Sequence, residues 1–273
     1  MNIFKRVLTK LHSVTGEILY DNRVINYGDL NPIQSFYLCQ DNEFYIDADV
    51  NHCISNYWMP LSNNLEHPYV ETCRQIIDKP DIPYTDTELY KYALNIKKEF
   101  LIKDLKELRG NRIIGDLPLY AFTFPWEVLT PQLNVERVKQ WVDIEELERK
   151  SGLSHLDGMI GFTEVSENKI EKEVNLLRSL VLSIQSKGYL QPKDSPITAC
   201  LLIKDKQFKY LIHGGNHRAA VLTALGFNTI PLIIKNSRLP ARVHYSDLTY
   251  WPNVTNGNFS YEEAENIFKK VFD

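Results

Sequence analysis

Two glycines followed by asparagine, histidine and arginine form the most chemically suggestive segment of this chain, Gly214-Gly215-Asn216-His217-Arg218. Glycines permit a turn that bulkier residues resist, and Arg218 to Leu225 has the composition of a short helix. A helix N-terminus presents free backbone N–H groups and the positive end of the helix dipole, both of which attract anions. Arginine adds a fork-shaped cation that matches phosphate oxygens. The segment therefore predicts a phosphate-binding turn.

Solvated side chains are the alternative interpretation of the same residues. Glycine turns before helices are common, so His217 and Arg218 could simply face water. The chain contains neither G-x-x-x-x-G-K-[ST] nor G-x-G-x-x-G, so neither common nucleotide fingerprint supports the phosphate interpretation.

The elements around the turn predict a strand, turn, helix and strand in that order. The apolar runs Phe208–Ile212 and Ile230–Ile234 predict buried strands, with Pro231 tolerated near the start of the second. Gly226 stands where a helix cap belongs.

Upstream residues extend this pattern. Ile170–Lys187 has the apolar spacing of a long helix that ends at Gly188, and Ile197–Ile203 predicts a strand that pairs with Phe208–Ile212 across a polar turn.

The ordered set of motifs resembles the ParB/sulfiredoxin-like superfamily. That superfamily has a strand, then G-x-H-R or G-E-R-R, then an alanine-rich helix, a glycine and a proline-containing strand. The similarity covers about Leu119 to Ile234 and includes a helix and an "S-I-x-x-x-G-x-x-x-P" turn at Arg178-Ser179-Leu180, Ser183-Ile184 and Gly188-Tyr189-Leu190-Gln191-Pro192. The resemblance implies an α/β (α+β) fold with a mixed sheet, and the superfamily holds several activities on one scaffold.

Residue types separate the activities that the resemblance implies. Sulfiredoxin-like chemistry needs a cysteine nucleophile where this chain has Asn216, and an amide cannot form a sulfur–phosphate intermediate. Chromosome-partition proteins carry a helix-turn-helix after the motif domain, whereas residues 235–273 predict one helix. Phosphoryl transfer to a small molecule remains, as in the ParB-like free serine kinases.

The kinase resemblance implies a role for each candidate residue. We expect Gly214, Gly215, Asn216, His217 and Arg218 to hold the phosphates of ATP or ADP, with Mg²⁺ bridging the phosphates. Glu127 follows an apolar run and a proline, at about the place where such kinases have a glutamate, and we expect Glu127 and His217 to be catalytic. We expect no protein residue to be a dedicated metal ligand.

Each of these residues also has a structural interpretation. Glu127 could be a solvated carboxylate at a strand end, and Trp126 is expected in the core. Asn216 is expected to cap the helix through its side-chain oxygen. His213 could be a core histidine bonded to backbone. His155 and Asp157 could enter the site from the long loop 151–168, although we favour a polar loop tip.

Composition limits the classes of partner. The chain has 273 residues, 44% of them hydrophobic and 24% charged, and a net charge of −4, which argues against a general affinity for nucleic acid. Met1–His12 predicts an amphipathic helix rather than a signal peptide, and no apolar run reaches the length of a membrane span. The cysteines form no zinc-ligand pattern and predict reduced thiols in a cytoplasmic protein: Cys39, Cys53, Cys73 and Cys200.

Three regions follow from the pattern of elements. Residues 1–115 predict a β-rich and helical region, residues 116–236 the ParB/sulfiredoxin-like nucleotide-binding domain, and residues 237–273 a loop and a helix opened by a Ser260-x-x-Glu263 capping box. Further expected elements are strands at Phe36–Leu38, Glu43–Ile46 and Leu117–Phe124, helices at Pro68–Ile77, Thr85–Phe100 (from a Thr85-x-x-Glu88 capping box) and Val135–Lys150, and an aromatic plug at Tyr57–Pro60.

These observations predict a nucleotide-binding phosphotransferase that acts on a small hydroxylated metabolite. The alternatives are a ParB-like nucleotide-dependent switch and a nucleic-acid-binding or nuclease-like protein without a helix-turn-helix domain. The acceptor, the base preference and the oligomeric state have no signature in the sequence.

Overall fold

The computed structural model describes residues 25–28, 30–39, 43–56, 59–62, 67–95, 118–190 and 195–272. The helix expected at Met1–His12, the end of the helix expected at Thr85–Phe100, and Tyr57 and Trp58 lie outside the described residues.

A seven-stranded mixed sheet forms the centre of the described structure, which confirms the predicted α/β class. Its order is β1-β2-β6-β4-β5-β3, and β7 also pairs with β4. The β2–β6 and β4–β5 pairs are antiparallel, whereas the β1–β2, β3–β5, β4–β6 and β4–β7 pairs are parallel. The strands are β1 (Ile25–Asn26), β2 (Phe44–Asp49), β3 (Cys53–Ile54), β4 (Thr198–Lys204), β5 (Gln207–Gly214), β6 (Thr229–Ile234) and β7 (Arg242–His244).

The hairpin of β4 and β5 carries the chain into the glycine turn. Lys204 pairs with Gln207, so only two residues make the connection, and Asp205 adopts a φ of 55° there. Short polar side chains tolerate this left-handed conformation better than most. The predicted strands on both sides of the hairpin are therefore confirmed.

Eight α-helices surround the sheet in the part of the chain that the structure describes. They are α1 (Pro32–Cys39), α2 (Pro68–Asp78), α3 (Glu88–Asn95), α4 (Pro131–Glu148), α5 (Glu167–Lys187), α6 (Asn216–Ala224), α7 (Pro252–Thr255) and α8 (Tyr261–Lys269). Short 3₁₀ turns lie at Val50–His52, Tyr84–Asp86, Leu119–Ala121, His155–Asp157 and Tyr245–Tyr250. No helix among the described residues is long and apolar enough to cross a membrane.

The sheet has an apolar core on each face. Along β5, Tyr210 and Ile212 belong to the first core and Leu211 to the second, because successive strand side chains point to opposite faces. The first core packs against α2, α5 and α6, and the second packs against α8. The glycine turn therefore follows a strand that is packed on both faces.

The long helix α5 follows its sequence pattern closely. Its predicted apolar stripe is buried at Val174, Leu177, Val181 and Ile184, and Gly188 ends the helix with a φ of 73°. The Ser260 capping box of α8 is likewise present, with Ser260 and Glu263 bonding each other's backbone N–H groups. All four cysteines are buried, and no disulfide joins any two of them.

Several predicted elements are wrong. Phe36–Leu38 belongs to α1 rather than to a strand. Asn31 caps the start of this helix, because its Oδ1 accepts a hydrogen bond from the Ile33 N–H at 2.9 Å. The described part of Leu117–Phe124 is a 3₁₀ turn and loop whose carbonyls at Tyr120 and Phe122 are bonded by Asn134, so it joins no strand.

Two helix predictions also need correction. The Thr85 capping box is absent, since Thr85 lies in a 3₁₀ turn and α3 begins only at Glu88, after Thr87. In α4, Trp141, Ile144 and Leu147 are exposed, and Val142 is buried, so the predicted apolar positions do not form one buried stripe.

Candidate functional site

Gly215 joins β5 to α6 as a single residue with φ 77° and ψ 25°, a left-handed conformation that favours glycine. Space is also restricted there, because an added Cβ would lie 3.0 Å from Ile197 Cγ1 and 3.1 Å from Arg218 Nη2. At Gly214 a Cβ would lie only 2.4 Å from Thr198 Oγ1. Both glycines are therefore required by the protein's own packing.

The N-terminus of α6 has no side-chain cap, and the capping role predicted for Asn216 is wrong. Gly215 occupies the cap position, and Asn216 Oδ1 accepts a hydrogen bond from the Asn56 backbone N–H at 3.3 Å. Helix geometry leaves the N–H groups of Asn216, His217 and Arg218 without intrahelical acceptors. These donors retain the anion-binding capacity that the sequence predicts.

Arg218 lies in the first turn of α6 and is half-buried. Its Nη2 donates to Ser195 Oγ at 3.1 Å. Burial raises the pKa of the Tyr189 hydroxyl to about 12, and the positive charge of Arg218 opposes that rise. Ser195 is exposed, so the guanidinium lies at the boundary between the core and the solvent.

His217 is held by a network of charges that sequence reasoning missed. Its Nε2 lies 2.8 Å from Glu173 Oε2 on α5, and Glu173 Oε1 lies 3.0 Å from both Lys169 Nζ and Arg149 Nη1. Lys169 also pairs with Glu146, and Arg149 pairs with Glu145 at 2.5 Å. The aromatic ring of Tyr69 packs edge-on against the His217 ring at 5.4 Å.

Charge balance within this network explains the state of Glu173. Burial alone would raise the pKa of its carboxyl, but His217, Lys169 and Arg149 together hold that pKa well below its usual range. The carboxylate is therefore ionised and lies against the His217 ring. No periodicity or motif identifies Glu173 as a site residue. In the sequence, a buried carboxylate on an amphipathic helix cannot be distinguished from an exposed polar residue.

Glu127 is enclosed, so its interpretation as a solvated strand-end carboxylate is wrong. The residue is 0% exposed, and neither carboxylate oxygen has a hydrogen-bond partner among the residues that the structure describes. Arg238 Nη2 lies 3.5 Å from Oε1. Burial raises the pKa of Glu127 to about 7, against the opposing charges of Arg238 and Arg137. A carboxyl group with this pKa can exchange a proton at neutral pH.

The backbone around Glu127 is fixed by Asn253. The Asn253 side-chain amide donates to the carbonyls of Phe124, Glu127 and Leu129 at 3.0, 2.9 and 3.0 Å. Trp126 is in the second core as predicted, stacked on Phe124 with ring centroids 4.9 Å apart. The loop therefore holds Glu127 in place without being part of the sheet.

His213 connects the Glu127 region to the glycine turn. It precedes Gly214 in β5, and its ring nitrogens face Thr198 Oγ1 at 3.4 Å and Ser237 Oγ at 3.5 Å rather than backbone groups. Burial lowers the pKa of His213 to about 4, and the positive charges of Arg238 and Lys235 lower it further. Arg238 therefore acts on both His213 and Glu127.

The two residues predicted to be catalytic have different partners. His217 belongs to the Glu173 network on the side of α5, whereas Glu127 belongs to the Arg238 group beside His213. The turn at Gly214 and Gly215 lies between His213 and His217 in the chain. It therefore connects the Arg238 group to the Glu173 network along the backbone.

His155 and Asp157 are bonded within their own region. His155 Nδ1 faces Asp143 Oδ2 at 2.8 Å, and Asp157 accepts from Ser154 N–H and Ser166 Oγ at 3.0 Å each. These contacts support the interpretation of the loop as a local structure.

No cluster of three or more potential metal ligands occurs among the residues that the structure describes. No family model, curated protein or solved structure matches the chain. Inference about its function therefore depends on the geometry of the site.

Proposed function

We propose that this chain is a nucleotide-binding phosphotransferase with a ParB/sulfiredoxin-like fold, acting on a small hydroxylated molecule. The observation that carries the proposal is the uncapped N-terminus of α6 with Arg218 in its first turn. Backbone N–H groups and a guanidinium fork directed to one place are suited to phosphate oxygens. The resemblance to ParB-like free serine kinases points to the same residues.

Nucleotide phosphates would lie on the N–H groups that follow Gly215. Arg218 donates to a neutral hydroxyl, Ser195 Oγ, and lies near the phenol of Tyr189, so no carboxylate among its described contacts competes with a phosphate. His217 would bind a phosphate oxygen through Nδ1, the ring nitrogen that does not face Glu173. Positioned donors of this kind stabilise charge on the transferred group.

Glu127 would serve as the general base. It would accept the proton of the acceptor hydroxyl while the hydroxyl oxygen forms a bond to the terminal phosphorus and the bond to the leaving nucleoside phosphate breaks. Its raised pKa, about 7, suits both the gain and the loss of that proton. Arg238, whose side chain is 30% exposed, links the enclosed carboxylate to the surface, so the acceptor would reach Glu127 when Arg238 moves.

Magnesium does not have a protein-built site among the described residues. The two central carboxylates, Glu127 and Glu173, already face positive side chains. Mg²⁺ would accompany the phosphates of the nucleotide, as it commonly does with few protein ligands, and no step proposed for this chain depends on a metal held by its side chains.

A nucleotide-dependent switch is the second candidate, because Glu127 is fully enclosed in this state and a switch needs no base. Nucleic acid is a weaker candidate, since the net charge is −4.

Both the phosphotransferase and the switch require nucleotide binding. Calorimetric titration with ATP, ADP and CTP, with and without Mg²⁺, tests that requirement. We expect a nucleotide to bind, and labelled ATP incubated with a pool of metabolites should yield a labelled product. Binding without transfer would favour the switch. Salt-dependent binding of DNA in place of nucleotide would favour the nucleic-acid alternative, and the absence of nucleotide binding would overturn the proposal.

A further inference from the structure

Among the buried side-chain atoms that lack hydrogen-bond partners in the described structure, two acceptors lie where β3 ends and α2 begins. They are Asn56 Oδ1 and His67 Nδ1, and neither has a hydrogen-bond partner within the structure as described. His67 is only 2% exposed. Buried polar atoms are normally satisfied, so two orphans in one region require an explanation.

Strand pairing places Asn56 beside the phosphate-binding turn. β3 runs parallel to β5, with Ile54 opposite Leu211, and parallel strands end at the same edge of a sheet. Asn56 follows β3 there, and its backbone N–H donates to Asn216 Oδ1 at 3.3 Å. The side chain of Asn56 is therefore next to the first residue of α6.

β3 also shares an apolar core with residues that precede Glu127. Ile54 packs in the second core with Phe124 and Trp126, which precede Glu127 in the chain. A ligand bound at this end of β3 would lie at the edge of the sheet where α6 begins.

Hydrogen bonding fixes His67 Nδ1 as an acceptor. Ser55 Oγ donates its proton to the Met59 carbonyl at 3.1 Å, so it accepts from His67 Nε2, also at 3.1 Å. The proton assigned to Nε2 leaves Nδ1 with a lone pair. Burial lowers the pKa of His67 to about 4, so the ring is neutral at pH 7.

Ring contacts continue from His67 to the phosphate-binding helix. The His67 and Tyr69 rings have centroids 6.0 Å apart, and the Tyr69 and His217 rings have centroids 5.4 Å apart. The orphan acceptor and the proposed phosphate-binding histidine are thus two ends of one packed row.

Acceptors without donors call for a ligand that donates. A hydroxyl group suits them better than an ammonium group, because Glu145, Glu146 and Glu173 already face Arg149, Lys169 and His217. Within the described residues, the negative charges of this network are therefore matched without an added cation. An alkyl ammonium would bring an unmatched charge into a buried region, which is costly.

We infer that Asn56 Oδ1 and His67 Nδ1 bind hydroxyl groups of a neutral polyhydroxylated small molecule beside the N-terminus of α6. Under the proposed function, on which this identification rests, that molecule is the phosphoryl acceptor. Both atoms are closed off from solvent, so binding requires a local opening that exposes them.

Saturation-transfer NMR on the full chain without nucleotide tests the inference, with glycerol, ribose and myo-inositol as probes and propylamine as a donor without hydroxyls. We expect at least one polyol to bind. Asn56→Leu should weaken its Kd about tenfold, the effect of one lost hydrogen bond. Asn168→Leu, the same change at an exposed position of α5, should leave the Kd unchanged. His67→Phe, which keeps the ring shape, provides a second variant if Asn56→Leu loses its native circular dichroism.

Three results would overturn the inference: no polyol binds the wild type, propylamine binds better than every polyol, or a crystal of the wild type grown with ribose shows only an internal water at the two acceptors. Nucleotide binding is measured separately. A wild-type protein that binds a polyol but no nucleotide would support this site and remove the proposed function, whereas one that binds ATP but no polyol would remove only this inference.

Discussion

His217 Nε2 and Glu173 Oε2 face each other at 2.8 Å across the packing of α6 against α5. The pair ties the first turn of the proposed phosphate-binding helix to the longest helix in the described structure. Its consequences for stability and acid sensitivity follow from the depressed pKa of Glu173.

Glu173→Gln should destabilise the protein by about 3 kcal/mol at pH 7, because it leaves positive partners in a buried network without their shared carboxylate. The wild-type stabilisation is complete above the unfolded pKa of glutamate, about 4.3, and is lost progressively as pH falls below it. The difference in unfolding free energy between variant and wild type should therefore narrow from pH 5 to pH 3 in urea titrations. Glu171→Gln, at an exposed position of the same helix, is the control. A difference that is constant with pH would contradict this account.

Glu127→Gln should stabilise the protein at pH 8. The pKa of Glu127 is raised to about 7 by burial, so its ionisation favours the unfolded state. The wild-type protein therefore loses stability as pH rises from about 4.5 to about 7. Glutamine at this position cannot ionise, so the variant should be more stable than wild type by roughly 3 kcal/mol at pH 8 and by little at pH 5. Urea unfolding at both pH values measures the effect, with exposed Glu136→Gln as the control. Equal stabilities of Glu127→Gln and wild type at both pH values would show that the enclosed carboxylate ionises without cost.

The same Glu127→Gln variant should lower the single-turnover rate of phosphoryl transfer by about 10²–10⁴, the usual contribution of a general base. The nucleotide Kd should stay near the wild-type value, because the carboxylate acts in the chemical step. Both quantities are measured on one preparation with Mg²⁺. A parallel loss of nucleotide affinity would assign Glu127 to the metal, and an unchanged rate would remove it from catalysis.

Arg218→Lys should weaken nucleotide binding about tenfold or more while the fold remains intact. Lysine keeps the charge but cannot donate to two phosphate oxygens as a planar fork. The Arg218 side chain donates to exposed Ser195 and lies beside the Tyr189 phenol, so little stability depends on it. Calorimetry with ATP measures the loss, and Arg242→Lys, at an exposed arginine on β7, is the comparison. Unchanged affinity with native circular dichroism would place the phosphates elsewhere.

Gly215→Ala should destabilise the fold itself, and by more than Gly226→Ala. Both glycines have positive φ, 77° and 84°, so each substitution carries a backbone cost of about 1–2 kcal/mol. At Gly226 an added Cβ meets open space, whereas at Gly215 it lies 3.0 Å from Ile197 Cγ1 and 3.1 Å from Ile197 Cα. The excess cost at Gly215 in urea unfolding isolates the packing contribution. Because a side chain at Gly215 destabilises the fold, loss of nucleotide binding in Gly215→Val would not by itself show that the nucleotide binds at this turn.

Local patterns predicted the elements around the glycine turn well. The apolar stripe of α5, the β4–β5 hairpin and the capping box of α8 each depend on residues close in sequence, so spacing alone identified them. Phe36–Leu38 failed because aromatic residues suit strands and helices alike, and the decisive contact is a cap from Asn31.

The site was predicted only in part, because its partners are distant in sequence. Gly215 and Arg218 are where the motif indicated, but Glu173 and Arg238 reach His217 and Glu127 from other elements. The lack of a donor to His67 Nδ1 also depends on the tertiary structure, since the neighbouring residues in the sequence do not show it. The regions 1–115, 116–236 and 237–273 stay predictions, although β2 and β3 lie in the same sheet as β4 to β7.

The order of the strands has a practical consequence for anyone who trims this protein. β2 covers the outer edge of β6 along six residue pairs, and β3 covers part of the outer edge of β5. A fragment that starts after residue 115 would therefore expose two rows of unpaired backbone groups at opposite margins of its sheet. Such margins recruit strands from other chains, so the fragment should precipitate or pair with itself, and co-expression with residues 1–115 as a separate chain should restore a soluble complex.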